Sequence, residues 1–549
     1  MTDVSSTPWS DPSRARLRPL LARAGLAVAA AVGLVAGVAA GDPPADPYSL
    51  QHDPHVLDTT GLCGGTVVDP FGNQQRQAHG RRIVQMPNGD LLVVALAPRY
   101  GQDPAANGLW NIGLVRYTTP CRAIAWDHAG QYGFQDNRYL VYPGVDDPRY
   151  GAINDVQVQG SYIYVLADRH ETTSGSSARD VYVVVFHVDG TFVGIYPAMN
   201  SDRDERGAGL AFYQDTGGFP KLPPAKFYVA GTSYDIFPVT GPRPTLVRMT
   251  RNANGGLSRD SNLGSSGNST YLYYTQPDEL CEAGARPCQA VTNDIALTVD
   301  LFGALNRVYL AGAVRFNGSG NWDYLTIAVN YNGVPDSGFG INGQSIVWFD
   351  RPGSNGRDVA NAIVARNVTT FPSVADEVYL VGEVAQQAAA GGNNGNRGIG
   401  VVKLGNNGYT VSTFANNGQL LFGGCAALPC MTPFQQSDDA ESYPRSMVLS
   451  GDRLLIAGRE GRRPPCVISV VGGPCVIQPH GYSGELAVVT RESGIVIDHG
   501  SHLGNSNFYG VLAGPGGRIT TVGTWFDGGL ARALTAQFRS DRLFGDGFQ

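Results

Sequence analysis

Apolar residues in this chain fall into short continuous runs, and seven of these runs close on a small residue. They are Leu91 to Ala95 (LLVVA), Ile163 to Ala167 (IYVLA), Phe227 to Gly231 (FYVAG), Val308 to Gly312 (VYLAG), Val378 to Gly382 (VYLVG), Leu454 to Gly458 (LLIAG) and Ile519 to Gly523 (ITTVG). Runs this short, without a polar face and bounded by turn residues, predict strands buried on both sides. The closing residues lie 72, 64, 81, 70, 76 and 65 positions apart. That interval suits one four-stranded sheet with generous loops, so the pattern predicts an all-β, seven-bladed β-propeller of four-stranded antiparallel blades.

A second apolar run follows each signature. Ile112 to Tyr117, Val181 to Val188, Thr245 to Arg251, Leu325 to Tyr331, Ile399 to Leu404, Glu485 to Arg491 and Ala533 to Ser540 read as the third strands. Tight turns rich in Asn, Asp and Gly come next, as in Asp189-Gly190, Asn254-Gly255, Asn332-Gly333 and Asn407-Gly408. Short turns also precede several signatures, such as Asn88-Gly89 and Gln159-Gly160. In an antiparallel blade these two turn sets share one end. The opposite end receives the longer second-to-third loops and the crossings between blades, and there the chain places its extra length. Arg169, His170, Tyr234, Arg315, Phe316, Arg459 and Trp525 stand just beyond the signatures at that end. Arg and aromatic side chains around a concave rim are common anchors of recognition, so these seven are the candidate ligand-binding residues.

A closed ring leaves no sheet edge bare. The run Gly64 to Val68 near the N-terminus is expected to supply the outer strand of the last blade, so that the two ends of the chain close the ring. Residues 1–40 read as a signal peptide, 41–62 as a Pro/Asp-rich linker and 63–549 as the propeller.

The run Leu325 to Trp348, LTIAVNYNGVPDSGFGINGQSIVW, resembles the delta-60 repeat of bacterial surface and secreted proteins, through Asp336, Phe339, Gly340 and Gly343. Phe414 and Gly418 match that pattern in part, as do Asp541, Phe544 and Gly545. The resemblance implies a propeller and life at the cell surface or outside the cell; it brings no chemistry with it. The ending Phe544 to Phe548 is also similar to the C-termini of secreted proteins in some Gram-negative bacteria, so Asp541 to Phe548 reads either as the start of the closing outer strand or as a sorting tag.

Composition adds the compartment. Arg14, Arg16, Arg18 and Arg23 precede an apolar stretch from Ala24 to Ala40 that ends Val38-Ala39-Ala40, the pattern of an export signal; an uncleaved anchor is the competing reading. Eight cysteines agree with an oxidising compartment. Cys281 with Cys288, Cys425 with Cys430 and Cys466 with Cys475 are close in sequence, and Cys63 with Cys121 would lock the ring closure. The expected location is therefore secreted or cell-surface, with the periplasm as an alternative. A formal charge of -7 argues against a nucleic-acid partner. No membrane contact is expected once the signal is cleaved.

Candidate chemistry is sparse. Asp155, Asp294 and Asp358 begin inner strands and are expected to ring the central channel, where converging carboxylates suit calcium. Their competing role is to cap backbone groups of the crossing loops. Asn200, Asp202, Asp204 and Glu205 resemble a calcium loop only loosely, lacking its glycine and distal Glu. No nucleophile elbow, sialidase Asp-box series or haem-attachment motif occurs, and no other cofactor is expected. The reading is a non-enzymatic recognition or scaffold protein for an extracellular protein or glycan. Its alternative is a secreted polysaccharide hydrolase or lyase with carboxylates at the channel mouth.

Overall fold

The structure, a computed structural model, describes residues 56–57, 66–68, 78–97, 110–118, 122–123, 139–142, 149–171, 178–201, 203–214, 225–234, 241–267, 269–274, 289–300, 303–315, 321–349, 357–370, 373–385, 397–422, 440–462, 481–504, 506–514, 518–527 and 530–539. All of them belong to the second of two units, Leu50–Gln549. They form seven antiparallel sheets arranged as a β-propeller, and no helix occurs among the described residues.

Each blade runs inner, second, third and outer strand. The inner strands are His79–Gln85, Tyr150–Gln159, Asp204–Tyr213, Gln289–Val299, Val359–Thr370, Ala440–Ser450 and Ser506–Ala513. The second strands are Leu91–Ala97, Tyr162–His170, Lys226–Tyr234, Leu305–Arg315, Ser373–Ala385, Arg453–Arg462 and Arg518–Asp527, and each contains one signature run. The predicted third runs fall in Asn111–Thr118, Arg179–His187, Pro242–Arg251, Trp322–Val329, Arg397–Leu404, Gly481–Thr490 and Leu530–Arg539, within a residue or two at their ends.

Closure follows the expected route. Thr66–Val68 pairs with the third strand of blade 7, Val67 opposite Thr535. Val56–Leu57, inside the segment read as a linker, pairs with the same strand, Val56 opposite Arg539. This two-residue apolar step among polar neighbours covers only Phe538 and Arg539, and its shortness is why composition alone hid it. The eight cysteines, residues 1–40 and the Phe544 to Phe548 ending lie outside the described residues.

The core is a set of seams, one between each pair of neighbouring blades. The signature tyrosines show how these seams are fastened. Tyr164, Tyr228, Tyr309 and Tyr379 are fully buried. Three hydroxyls donate to the following blade, Tyr164 to the Gly255 carbonyl at 3.3 Å, Tyr228 to the Tyr331 carbonyl at 2.8 Å and Tyr309 to the Asp376 carboxylate at 2.6 Å, while that of Tyr379 has the Glu377 carboxylate of its own blade at 3.0 Å and the Arg491 carbonyl of the next at 3.3 Å. A phenol therefore fills four of the seven seams, and in three of these its polar tip is satisfied on the neighbour.

The glycines after the third strands have the positive φ the turns require, 82° at Gly255 and 78° at Gly408. They also let blades approach. A Cβ on Gly408 would lie 2.7 Å from the Gly340 nitrogen and 3.0 Å from the Phe339 ring of the previous blade. This explains the repeat-like motif of blade 4. Asp336 accepts from Arg307 Nε at 2.5 Å, Phe339 is fully buried, and Gly340 at φ 54° donates its N–H to the Asn407 carbonyl of blade 5. Phe414 and Ala415 repeat the contact one blade on, Ala415 donating to the Ser493 carbonyl.

Candidate functional site

All seven inner strands are bulged at the same place. Their pairing with the second strands skips one residue, and the skipped residues are Arg81, Asn154, Ala208, Asn293, Asn361, Arg445 and Tyr509. The residue just before each bulge pairs with the closing residue of the signature: Gly80 with Ala95, Ile153 with Ala167, Gly207 with Gly231, Thr292 with Gly312, Ala360 with Gly382, Pro444 with Gly458 and Phe508 with Gly523. The bulge kinks the inner strand toward its neighbour, and this is why the position must be small. A Cβ at Gly312, Gly382 or Gly523 would lie 1.9, 1.9 or 1.8 Å from a carbonyl oxygen of the inner strand.

The seven bulge residues together line one cavity of about 290 Å³ on the axis, at the end where the inner strands begin. Arg82, Ala152, Ile153 and Gly207 complete its wall. Three arginines and three asparagines thus face one space, and no carboxylate is among these lining residues. The asparagines also brace the ring. Asn154 Nδ2 donates to Asp168 at 2.6 Å, Asn293 Nδ2 to the Ala360 carbonyl at 2.8 Å and Asn361 Nδ2 to the Pro444 carbonyl at 2.9 Å. Arg81 lies over the Tyr509 ring, 4.5 Å from its centroid. The Nε atoms of Arg81 and Arg445 are buried without a hydrogen-bond partner among the described residues. Burial pulls the Arg445 guanidinium below its ordinary range, Glu383 opposes this, and the like charges of Arg459 and Arg81 add to it.

Further along the axis lies a second chamber of about 430 Å³, walled by all seven inner strands. Arg82, Asn361 and Arg445 border both spaces. Asp155 and Asp294 face this chamber with Arg82. Each carboxylate is held by two backbone N–H groups, one on its own strand and one on another blade. Asp155 accepts from Val156 at 2.7 Å and Leu210 at 2.9 Å, and Asp294 from Ile295 at 2.8 Å and Ile363 at 2.9 Å. Burial pushes Asp294 up to about 7, with the Asp155 charge adding to it. Burial also pushes Asp155 up, while Arg82 and the N–H donors hold it back. Arg82 is pulled down by burial and supported by both carboxylates; its Nη1 donates to the Tyr509 carbonyl at 3.2 Å.

The third expected calcium ligand does not join them. Asp358 is buried away from the channel wall, where it accepts the Ala385 N–H at 2.9 Å. The residue of blade 5 that corresponds to Asp155 and Asp294 is Ala362, four positions on, because the bulge and not the strand start sets the ring. Among the described residues no group of three His, Cys, Asp or Glu gathers at metal-binding distance. The loosely calcium-like acids are engaged locally: Asp204 takes two bonds from Arg179 at 3.0 Å, and Glu205 takes the Ser201 hydroxyl at 2.7 Å.

Arg169, His170, Tyr234, Arg315, Arg459 and Trp525 sit at or near the ends of second strands, at the end of the long connections; Phe316 lies outside the described residues. None of the six lines the axial cavity. Arg169 covers Tyr182, Tyr234 is covered by Arg206, and Trp525 packs against the seam of blades 6 and 7. Arg459 lies over Tyr443 at 4.6 Å and in the field of Arg445, which lines the cavity. Sequence reasoning missed Arg81, Arg445 and Tyr509. Aligning the inner strands on the residue opposite each signature end would have brought them out.

No family model matches the chain, and no curated protein matches it. Among solved structures, the chain is similar to a polysaccharide lyase described as a PL25 ulvan lyase, with 10% identity over 88% of this chain and 96% of that one at a TM-score of 0.37. A Hadza microbial sialidase matches with 13% identity over 69% and 63%, TM-score 0.34. A levansucrase mutant of B. megaterium matches with 11% identity over 62% and 86%, TM-score 0.29. Likeness at this level carries no argument about activity.

Proposed function

We propose that this chain is an exported recognition protein that binds an extracellular protein or glycan, without turnover, at the end of the propeller where the inner strands begin. The observation that carries this reading is the ring of seven bulge residues, which gathers Arg81, Arg445, Tyr509 and three asparagines around one axial cavity. A bulge re-aims side chains at the cost of a ladder bond, and its repetition in every blade builds a wall of polar groups from rigid strands. Arg169, Tyr234, Arg315 and Arg459, at or near the ends of second strands, stand at the same end of their blades and are the rim we assign to this mouth. A glycan array and an extracellular-protein array probed with the mature chain test the reading. Binding that the Arg445→Gln and Arg81→Gln variants weaken supports it; hits that both variants leave untouched sink it.

A second reading is favoured by one observation. Asp294, raised to about 7 beside Asp155, is the kind of coupled carboxylate pair that general acid and base chemistry uses. In this case the chain is a polysaccharide hydrolase or lyase, and turnover of array hits disappears in Asp294→Asn. The bonds from backbone N–H to all four oxygens of the pair favour the structural role. Calcium at the same pair would have to displace those N–H bonds and compete with the Arg82 charge.

A further inference from the structure

Among the described residues, the mouth cavity gathers guanidinium groups whose donors are not all met. Arg81 and Arg445 approach the same space from blades 1 and 6, on either side of Tyr509 in blade 7, with buried Nε donors that find no acceptor among the described residues. Neighbouring acids are already engaged. Glu383 pairs with Arg397 at 2.5 Å and Arg357 at 3.6 Å, while Asp155 and Asp294 are tied to backbone N–H groups in the chamber beyond. Both side chains are partly buried, and their buried Nε donors cost free energy while unmet; a guanidinium pair is shaped to take a planar anion through parallel N–H bonds.

We propose that this cavity binds a carboxylate-bearing ligand of about one sugar ring in size, its carboxylate held between Arg81 and Arg445. The volume sets the size. At about 290 Å³ it stands at the lower limit of about 300 Å³ for sites that enclose drug-sized ligands, so it takes a terminal unit and not a chain laid across it. The composition sets the chemistry. Three asparagines beside the arginines offer amide groups to ring hydroxyls, and no lining carboxylate repels the anion. The proposal rests on the reading that recognition occurs at this mouth, and it names the class of ligand.

Calorimetric titration of the full chain with D-glucuronate, D-glucose and inorganic phosphate is the test, with a glycan array run beside it. Glucuronate is expected to bind, glucose to bind at least about tenfold more weakly, and phosphate not to surpass glucuronate. Arg445→Gln is expected to weaken glucuronate at least about tenfold, and Arg445→Lys, which keeps the charge and loses the fork, to fall between. If Arg445→Gln does not fold, Arg81→Gln and the loss of thermal stabilisation by glucuronate serve in its place. Equal binding of glucose and glucuronate, or tighter binding of phosphate, overturns the carboxylate while array hits keep the recognition reading. A blank array together with silence toward all three probes overturns both.

Discussion

Gly312 lies opposite Thr292, one residue before the bulge at Asn293, and a methyl group in its place would stand 1.9 Å from the Val291 carbonyl oxygen. The pair condenses the architecture. One strand ends its apolar run on a glycine because the neighbouring strand kinks there, and the kink turns Asn293 onto the axis. Core packing and axial wall are thus set at the same point in a blade.

Gly312→Ala is therefore expected to destabilise the chain by about 3 kcal/mol, since the added carbon meets backbone that cannot rotate away. Gly405→Ala is the matched control, because its nearest neighbours stand 3.5 Å off or more and its φ is not positive. Urea unfolding of the two variants reads the difference. Equal midpoints would show that the bulge does not impose the small residue.

Asp376 is buried in the seam between blades 4 and 5, where it accepts from Thr298 Oγ1 at 2.9 Å, Asn306 Nδ2 at 2.8 Å, Tyr309 at 2.6 Å and Asn367 Nδ2 at 2.7 Å. Removing it leaves several donors unpaired, and Asp376→Ala is expected to cost about 3 to 5 kcal/mol. Asp336, more exposed and paired chiefly with Arg307, is expected to cost about 1 kcal/mol on the same change. Thermal melts of the two variants give the order; Asp336→Ala as damaging as Asp376→Ala would contradict the burial argument.

The repeat was legible because evenly spaced strands leave an evenly spaced trace: signature runs, turn glycines and third strands all survived in the sequence. The closing strand at Thr66–Val68 was legible too, since a ring needs an edge partner. The axial wall was not. What repeats there is a backbone event, the bulge, while the side chains it displays differ from blade to blade, Arg81, Ala208 and Tyr509 among them. Asp155, Asp294 and Asp358 all stood out as acids near the opening of inner strands, and Asp358 misled because it lies four residues short of the ring position. Arg445 carried no local signal at all, and only its position after Pro444, the residue opposite Gly458, places it.

Protonation of Asp294 gives a pH signature with a definite sign. Its carboxyl titrates near 7 in the fold, against an ordinary value of 3.8, so the folded chain binds the proton more tightly than the unfolded chain. Stability from this group is therefore greatest below the ordinary value and falls as pH rises from about 4 to about 7. Glu205, also raised to about 7, and Asp168, raised to about 6, both mainly by burial, act in the same direction. Asp294→Asn mimics the protonated form while losing one acceptor. Its melting temperature is expected to trail the parent at pH 5 and to close much of that gap at pH 8. A gap that stays constant or widens would mean that Asp294 is charged in the fold throughout.

The last prediction concerns the ring itself. Among the described residues, the third strand of blade 7, Leu530–Arg539, has Arg518–Asp527 on one side and only the N-terminal pieces Val56–Leu57 and Thr66–Val68 on the other. A chain starting at residue 70 would expose that edge, and an unpaired edge strand recruits another copy or opens its sheet. Such a chain is expected to elute as larger species and to melt at lower temperature. A peptide spanning residues 52–70 added in trans should restore both, because the missing contribution is backbone pairing and not a catalytic or ligand group. If the truncated chain stays monomeric with an unchanged melt, the seams between blades close the ring unaided, and the N-terminal strands are dispensable to it.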